Sequence, residues 1–561
     1  MISPSGNDVE TFWESLKQGK SSIGPITKFD TSDFDVKIAG EVKNFDIKKY
    51  GFPFMLTRQL DEFTHYAMAA TKMALDDSMI NLEMVDRTRM GVFAGNCLGG
   101  VGFGEKELYN LYREGWQCVS PYQSISWFYT APQGQISIFY KLKGYSKTFV
   151  ADRISSDVAL GYAYQSIMLN RLDTCLVCGT EAGVFPYGMS LFSSSDVLSK
   201  KRDACYCPYD LKRNGMILGE GAGTLVIEEL EHALKRNAPI YGEILSFSNN
   251  CDGVHHKEKN KNGKKYKEVI ESCIRKANIS YDEIDYINLD GAALWEDDVI
   301  ETNVLKEIWG KEIGAVSLSC PKSMFGNTFG AAGALDAIIN CLAIKNNTVP
   351  PTINYEDQDS NCDLNYTPNK ALHRNINTVL QIARGRGGIN SAMLLREFKE
   401  EYRNWHVIEK RLWRVPVIKK EIILKGTTKE IFKRMSEYSF IQEMNSSANV
   451  CTKIIFKKPR IIRYGIEVKN VGYWESERVF IPEKNVIITQ RKEPMGPFKY
   501  LVVIYVLEKD NQGTKFTYIE EFDVCDNYQN EVEKIYSDIS KKVNPILQKI
   551  TDYFNSEHIL Q

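Results

Sequence analysis

The stretch Pro321-Lys322-Ser323-Met324-Phe325-Gly326-Asn327, closing in Gly330-Ala331-Ala332-Gly333, decides the fold class. A glycine cluster of this kind punctuates a chain rather than extending a strand or a helix. Similar clusters stand at Gly99-Gly100, at Gly219-Glu220-Gly221-Ala222-Gly223 and at Gly385-Arg386-Gly387-Gly388, and none follows the dinucleotide fingerprint. Between them, from Phe54 to about Met393, apolar runs of strand length (Met90–Ala94, Cys175–Cys178, Thr224–Ile227, Ile284–Ile287) alternate with longer amphipathic segments such as Phe63–Asp77 and Asp157–Asn170. That alternation predicts an α/β domain with buried strands.

The chain has 561 residues, beyond the roughly 250–300 at which a single core stops growing, so at least two domains are expected. Hydrophobic residues make up 43% and charged residues 25%, the balance of a globular protein. Seventy basic against 72 acidic side chains leave a formal charge of −2, which argues against a nucleic-acid partner. The longest apolar stretch, Tyr500 to Leu507, is far short of the ~18–20 residues that span a bilayer. Met1 opens no basic-then-apolar leader, so a cytoplasmic location is expected. Thirteen cysteines, an odd number, suit reduced thiols. Cys175 and Cys178 form a CxxC without a second pair, and a pair of buried strand residues is the better reading than a metal site.

After Leu395 the texture changes. Glu397–Arg414 is charged and carries tryptophans, and beyond it Glu421–Leu424, Arg460–Val468, Asn485–Gln490, Tyr500–Leu507 and Lys515–Phe522 read as strands. Lys429–Glu437 and Val532–Phe554 read as helices, the latter amphipathic and closing the chain. One curved antiparallel sheet wrapped around the last helix is expected, with an apolar cavity inside.

The glycine-rich segments carry a resemblance. Pro208-Tyr209-Asp210, Arg213, Gly215 and Gly219–Gly223, together with Pro321–Asn327 and Gly330–Gly333, are similar to the segments of β-ketoacyl synthases of the thiolase fold. The resemblance implies a duplicated five-layer α-β-α-β-α domain over residues 1–397, with halves at 1–235 and 236–397. Active relatives hold the acyl chain on a cysteine activated at a helix N-terminus. Counting from Gly144 along Tyr145-Ser146-Lys147-Thr148-Phe149-Val150-Ala151-Asp152, the cysteine position falls on Arg153. A guanidinium accepts no acyl group from a thioester and is no base at physiological pH. The two histidines that polarise the thioester carbonyl in the family are Asp290 and Asn327 here, whereas Lys322 survives. An aspartate would repel an enolate. We expect Arg153 and Asp290 to pair, each being a costly buried charge alone, and Lys322 to serve as a buried charge partner.

Tyr122-Gln123-Ser124-Ile125-Ser126-Trp127-Phe128-Tyr129, Gly99–Leu108 and Arg384–Ala392 resemble the chain-length-factor subfamily of type II aromatic polyketide synthases. There the subunit forms a heterodimer with an active ketosynthase, and the polyketide grows into a shared tunnel. Chain-length factors usually carry glutamine at the lost cysteine, so Arg153 departs from the pattern. Val101, Gly104, Leu108 and Ile125 match sites where relatives with short products carry larger residues, often phenylalanine. Val101, Gly104 and Leu108 share one helical face. Tunnel lining, with a long chain as product, and ordinary helix packing are both open for them. A strand that precedes Ile2–Asn7 in the family is absent, which leads us to expect a start upstream of Met1 or a sheet short of one strand.

Residues 417–561, after a linker at 398–416, resemble polyketide cyclase/aromatase proteins of the helix-grip (START/Bet v 1-like) class, through Trp474-Glu475-Ser476-Glu477-Arg478 and Arg491–Phe498. Such domains fold a poly-β-ketone for ring closure and stabilise its enolate. Arg491 is the candidate cation, and Tyr464, Trp474 and Tyr505 are candidate cavity residues, the alternative being structural aromatics of a curved sheet. The implied partners are an active ketosynthase, a polyketide intermediate and an acyl carrier protein bearing phosphopantetheine. No metal or directly bound cofactor is implied. The competing class is a silent scaffold or acyl-chain-binding protein.

Overall fold

The computed structural model describes residues 1–195, 197–201, 204–254, 262–399, 417–445, 450–458, 461–469, 472–482, 485–491, 498–511, 513–524 and 532–555. The chain divides into two compact units, Met1–Glu400 and Glu401–Gln561. Residues 400–416, most of the expected linker, lie outside the described set.

The first unit contains two large sheets that share one topology over four strands, the second sheet carrying a fifth. We label its principal elements α1 (Glu62–Ser78), β1 (Met90–Gly95), α2 (Val101–Glu114), α3 (Ala131–Tyr140), β2 (Lys147–Phe149), α4 (Ser155–Met168), β3 (Thr174–Glu181), β4 (Gly221–Glu228), β5 (Glu243–Cys251), α5 (Lys264–Ala277), β6 (Tyr286–Asn288), α6 (Trp295–Trp309), β7 (Ser317–Ser319), α7 (Ala332–Asn346), β8 (Thr378–Gly385) and β9 (Ile389–Arg396). The first sheet runs β2-β1-β3-β4 and the second β7-β6-β8-β9-β5. In each, three parallel strands are followed by an antiparallel one: β4 on β3 and β9 on β8. This repetition is the signature of the duplicated domain.

Every residue of β1, β3 and β8 is buried. Strands covered on both faces read as continuous apolar runs, which is why they were visible in the sequence. Cys175 and Cys178 sit in β3, buried and unpaired. Helices α4 and α7 pack on each other and on both sheets, α1 covers the outside of the first sheet, and α5 covers the outside of the second. The layers are therefore α-β-α-β-α. Phe93, Ile154, Leu335, Ile339, Val379 and Met393 belong to the core around the central helices. Gly333 has a packing reason: a Cβ there would overlap the Asp157 carboxylate on α4.

The second unit contains β10 (Val417–Leu424), α8 (Thr428–Met435), α9 (Tyr438–Met444), β11 (Val450–Lys458), β12 (Ile461–Val468), β13 (Gly472–Ile481), β14 (Val486–Arg491), β15 (Phe498–Asp510), β16 (Gly513–Val524) and α10 (Val532–Asn555). Its seven strands form one antiparallel sheet in the order β10-β16-β15-β14-β13-β12-β11. A capping box of Thr427 and Glu430 starts α8. One face of the sheet, through Ile462, Tyr464, Phe480, Ile487, Leu507 and Phe516, packs on Ile431 and Met435 of α8, Phe440 of α9 and Val543, Leu547 and Ile550 of α10. Two strands, β11 and β13, escaped the sequence reading. The inward positions of β13 include Ser476 and Arg478, both buried, so the apolar alternation that marks a half-buried strand is broken.

Candidate functional site

The position expected to carry a nucleophile lies between β2 and α4. Asp152, just before it, has φ of 51°, in the left-handed region that Asp tolerates better than most residues. Arg153 follows, 5% exposed. Its Nε donates to the Arg384 carbonyl at 2.8 Å, its Nη2 donates to the same oxygen, and its Nη1 lies 3.3 Å from Met216 Sδ. The Asp290 carboxylate stands 3.4 Å from Nη2. Burial works against the charge, but Asp290, with Asp152 and Asp297 behind it, outweighs burial and holds the guanidinium firmly protonated.

The network continues through the side chain of Arg384, which donates to Asp252 at 2.6 Å and lies 3.5 Å from Asp297. Arg384 sits at the end of β8, otherwise an apolar strand, and sequence reasoning gave it no role. A buried strand with one arginine was the available signal. Asp152 in turn accepts from the Arg386 amide at 2.6 Å. Cations and carboxylates therefore face one another here, with Arg384 Nη1 buried and without a hydrogen-bond partner among the described residues.

Asn327 accepts from the Phe329 amide at 2.9 Å and donates to the Tyr206 hydroxyl at 3.4 Å. Lys322 is 1% exposed and donates to Asp336 at 2.6 Å and to the Leu289 carbonyl at 3.0 Å. A second acid, Asp157, lies near this pair and accepts from Gln381 at 2.8 Å. Burial first, then the neighbouring Asp336, pushes the Asp157 carboxyl up to about 7. Burial raises the thiol pKa of Cys97, with Glu181 and Asp152 adding to it, and that of Cys320, where Lys322 works against burial and Asp336 adds to it. A thiol kept protonated is a poor acyl acceptor.

The four tunnel candidates separate. Val101 and Gly104 are buried on α2, Val101 within a core that includes Leu98, Val184 and Phe192, whereas Leu108 and Ile125 are 41% and 39% exposed. A Cβ on Gly104 would rest 3.4 Å from the Trp127 indole. Around them Tyr109, Tyr112, Trp116, Trp127 and Phe128 are also exposed. These residues lie on α2 and on the segments that pack beside it.

In the second unit, side chains alternate between the two faces of each strand. Tyr464, Arg478, Thr489, Arg491 and Tyr505 occupy positions of the same parity as the core residues Ile462, Phe480, Ile487 and Leu507. The Trp474 position is on β13, its side chain outside the described residues. Arg491 is half-buried, and burial lowers its pKa against the attraction of Glu520. The more deeply buried cation is Arg478, 3% exposed, which the sequence reading passed over in favour of Arg491. Its guanidinium carbon lies 5.0 Å from the Tyr505 ring and 5.5 Å from the Phe440 ring. Its Nε and Nη2 are buried with no hydrogen-bond partner among the described residues. Burial raises the Tyr464 hydroxyl to about 12, tempered by the Arg478 cation beside it.

Among the described residues no group of His, Cys, Asp and Glu is arranged to hold a metal ion, and no helix is long and apolar enough to cross a membrane.

Two duplicated sheets around paired helices, with the site at the N-terminus of one of them, define a thiolase-like ketosynthase fold. The chain belongs to the β-ketoacyl synthase family: residues 1–233 match its N-terminal domain and 241–356 its C-terminal domain. It is 36% identical over 398 residues to a 3-oxoacyl-[acyl-carrier-protein] synthase 2 of Coxiella burnetii, covering 70% of this chain and 96% of that one. The counterpart in Synechocystis is 31% identical over 402 residues, with 71% and 96% covered. Among solved structures it resembles the ishigamide ketosynthase/chain length factor, at 27% identity and a TM-score of 0.66, over 71% of this chain and 97% of that one. It also resembles a type II polyketide synthase acyl-carrier protein in complex with its ketosynthase bound to the hexaketide, at 25% identity and a TM-score of 0.65, with the same coverage.

Proposed function

We propose that the first unit no longer condenses acyl chains, and that it pairs with a cysteine-bearing ketosynthase to form and size a polyketide tunnel. The carrying observation is Arg153 at the nucleophile position, locked by Asp290 and the Arg384 carbonyl. A ketosynthase site needs an acyl-accepting sulfur and donors aimed at the developing oxyanion, and here both are exchanged for an internal ion pair. The exposed apolar residues on and beside α2 support a macromolecular partner, and the solved ketosynthase/chain length factor supports its class. An acyl carrier protein bearing phosphopantetheine supplies the chain to the partner's cysteine.

The second unit, an antiparallel sheet with a long helix on one face, fits a helix-grip domain that folds and cyclises the poly-β-ketone. Arg478, deeply buried with its Nε and Nη2 unmatched among the described residues, supports that reading better than Arg491. Fusion to the first unit raises the effective concentration of the intermediate at the second site.

The test is co-expression of the full chain with a cysteine-bearing ketosynthase of the same assembly, followed by intact-protein mass spectrometry after feeding malonyl-loaded carrier protein. Co-purification, with the acyl adduct confined to the partner, is expected. An acyl adduct on this chain would overturn the proposal.

A further inference from the structure

The interior of the second unit holds a carboxylate that has no role so far. Along β16 the residues Phe516, Tyr518 and Phe522 belong to the core under the helices, and the two-residue period places Glu520 on the same face. Glu520 is 7% exposed and accepts a hydrogen bond from the Tyr518 hydroxyl at 2.8 Å. The strand register then gives its neighbours. Glu520 stands opposite Val503, Val503 opposite Thr489, and Thr489 opposite Arg478. One row across the inner face therefore reads Glu520, Val503, Thr489, Arg478.

A carboxylate and a guanidinium end this row, and two short side chains floor the gap between them. Three strand spacings separate the end backbones by about 14 Å. Arg478 Nε and Nη2 are buried with no hydrogen-bond partner among the described residues, while the Tyr464 hydroxyl lies within reach of both Arg478 and Thr489. Buried donors left unmatched are costly, and a ligand rich in carbonyl oxygens would satisfy them. Tyr505 lies between the two ends, its ring 5.0 Å from the Arg478 guanidinium and 5.7 Å from the Tyr518 ring.

We propose that Glu520 is the proton-transfer group of this site and Arg478 its oxyanion partner, acting on a chain of 1,3-dicarbonyl units to close a carbon–carbon bond within it. The proposal rests on the reading of the second unit as a ring-forming domain. Glu520 takes a proton from a methylene between two carbonyls, and the C–H electron pair becomes an enolate whose oxygen Arg478 stabilises. The enolate carbon attacks a carbonyl carbon further along the chain, and that carbonyl's π pair becomes an alkoxide, which recovers the proton from Glu520. Loss of the new hydroxyl with an adjacent proton, as water, gives the unsaturated ring. The net change is one water released, with no oxidant or reductant. A guanidinium is no general base at physiological pH, which leaves the Glu520 carboxylate for that role. Burial raises the Glu520 pKa, opposed by the Tyr518 hydroxyl on its own strand, Arg491 on β14 and Lys542 on α10, while Tyr505 faces it from β15.

The experiment uses the full chain and a linear 3,5,7-trioxooctanoate ester as probe, with ring closure followed by absorbance and mass against the buffer rate. Glu520→Gln should lower the protein-dependent rate on the order of 100-fold or more and remove the ascending limb of its pH profile, with partial recovery in Glu520→Asp. Tyr518→Phe, which removes the hydrogen bond that lowers the Glu520 pKa, should move that limb to higher pH. Arg478→Gln should lower kcat and leave the limb in place. If Glu520→Gln, folded by circular dichroism, keeps the rate within about twofold while Arg478→Gln loses it, Glu520 is not the base and the ring-forming reading survives. If Glu520→Gln fails to fold, Glu520→Asp decides through the same pH limb, and an unmoved limb overturns the proposal. A wild-type chain that gives no acceleration overturns both.

Discussion

The Arg153–Asp290 pair at the start of α4 allows a quantitative prediction. At 3.4 Å and an effective dielectric of about 20, the mutual attraction is on the order of 5 kcal/mol. Both side chains are nearly fully buried, so desolvation cancels much of this in the intact protein, and the pair as a whole contributes little. Removing one partner is a different matter. Arg153→Met strands a buried carboxylate and withdraws two donors from the Arg384 carbonyl, and should cost about 3–5 kcal/mol. Asp290→Leu leaves a buried guanidinium with its carbonyl acceptor and the more distant Asp152 and Asp297, and should cost somewhat less. The double variant removes both charges and should be more stable than Arg153→Met alone. Denaturant unfolding or calorimetry that resolves the first unit's transition measures the cycle, since a two-unit chain has no single unfolding free energy. A coupling of at least about 2 kcal/mol is expected for contacting residues. Additive effects within about 0.5 kcal/mol would refute the pairing as the reason the site tolerates Arg153.

Three further outcomes follow from the same structure. Gly104→Phe must push into the Trp127 indole, 3.4 Å from the position of an added Cβ, and should shorten the polyketide made with a ketosynthase partner, as read by product mass; an unchanged length would remove Gly104 from the tunnel. Trp116→Glu, at a residue 73% exposed, should abolish co-purification with that partner while leaving the thermal transition within a few degrees. The Asp157 carboxyl is raised to about 7 by burial and Asp336, so the folded state prefers its protonated form. Its stabilising term is full below the unfolded value of about 4, and it is lost as pH rises through 7. Asp157→Asn should flatten the fall in stability between about pH 4 and 7 by up to about 4 kcal/mol, and parallel profiles for variant and wild type would disprove the assignment.

The sequence made the first unit legible because its strands are buried on both faces and its turns are made by glycines that packing requires, as at Gly333 against Asp157. Positions 153, 290 and 327 were singled out in the sequence by the family-like residues around each, and the structure brings Arg153 and Asp290 within 3.4 Å of one another. The partners of Arg384 were not legible, since Asp252 and Asp297 are remote in sequence and only the fold brings them to the end of β8. In the second unit the reverse held. Strand β13 was missed because its inward row carries Ser476 and Arg478, and a polar inward row hides the strand. Arg491 was preferred on resemblance alone, whereas the depth of Arg478 is a property of register. Glu520 could be placed only after Val503, Thr489 and Arg478 were aligned beside it.

The two buried arginines differ in the partners that the fold supplies to them. Arg153 meets Asp290, and its Nε and Nη2 both donate to the Arg384 carbonyl. Nothing is left for a substrate to supply, and an incoming thioester would have to break an ion pair already desolvated. Arg478 rests on aromatic faces that disperse its charge, yet two of its nitrogens have no acceptor among the described residues. Folding alone does not favour that arrangement, because an unmatched buried donor costs about 1–3 kcal/mol, more when it is charged. A bound carbonyl chain would recover that cost, most of all when an oxygen gains negative charge during reaction, because a charge-assisted hydrogen bond is the stronger one. The criterion predicts opposite responses to neutralisation. Replacing Arg153 should damage stability and leave the partner's chemistry intact, whereas replacing Arg478 by Gln should damage ring closure with little loss of stability. If Arg478→Gln instead unfolds the second unit and leaves product cyclisation unchanged in the remaining folded fraction, the guanidinium is structural and the distinction between the two sites collapses.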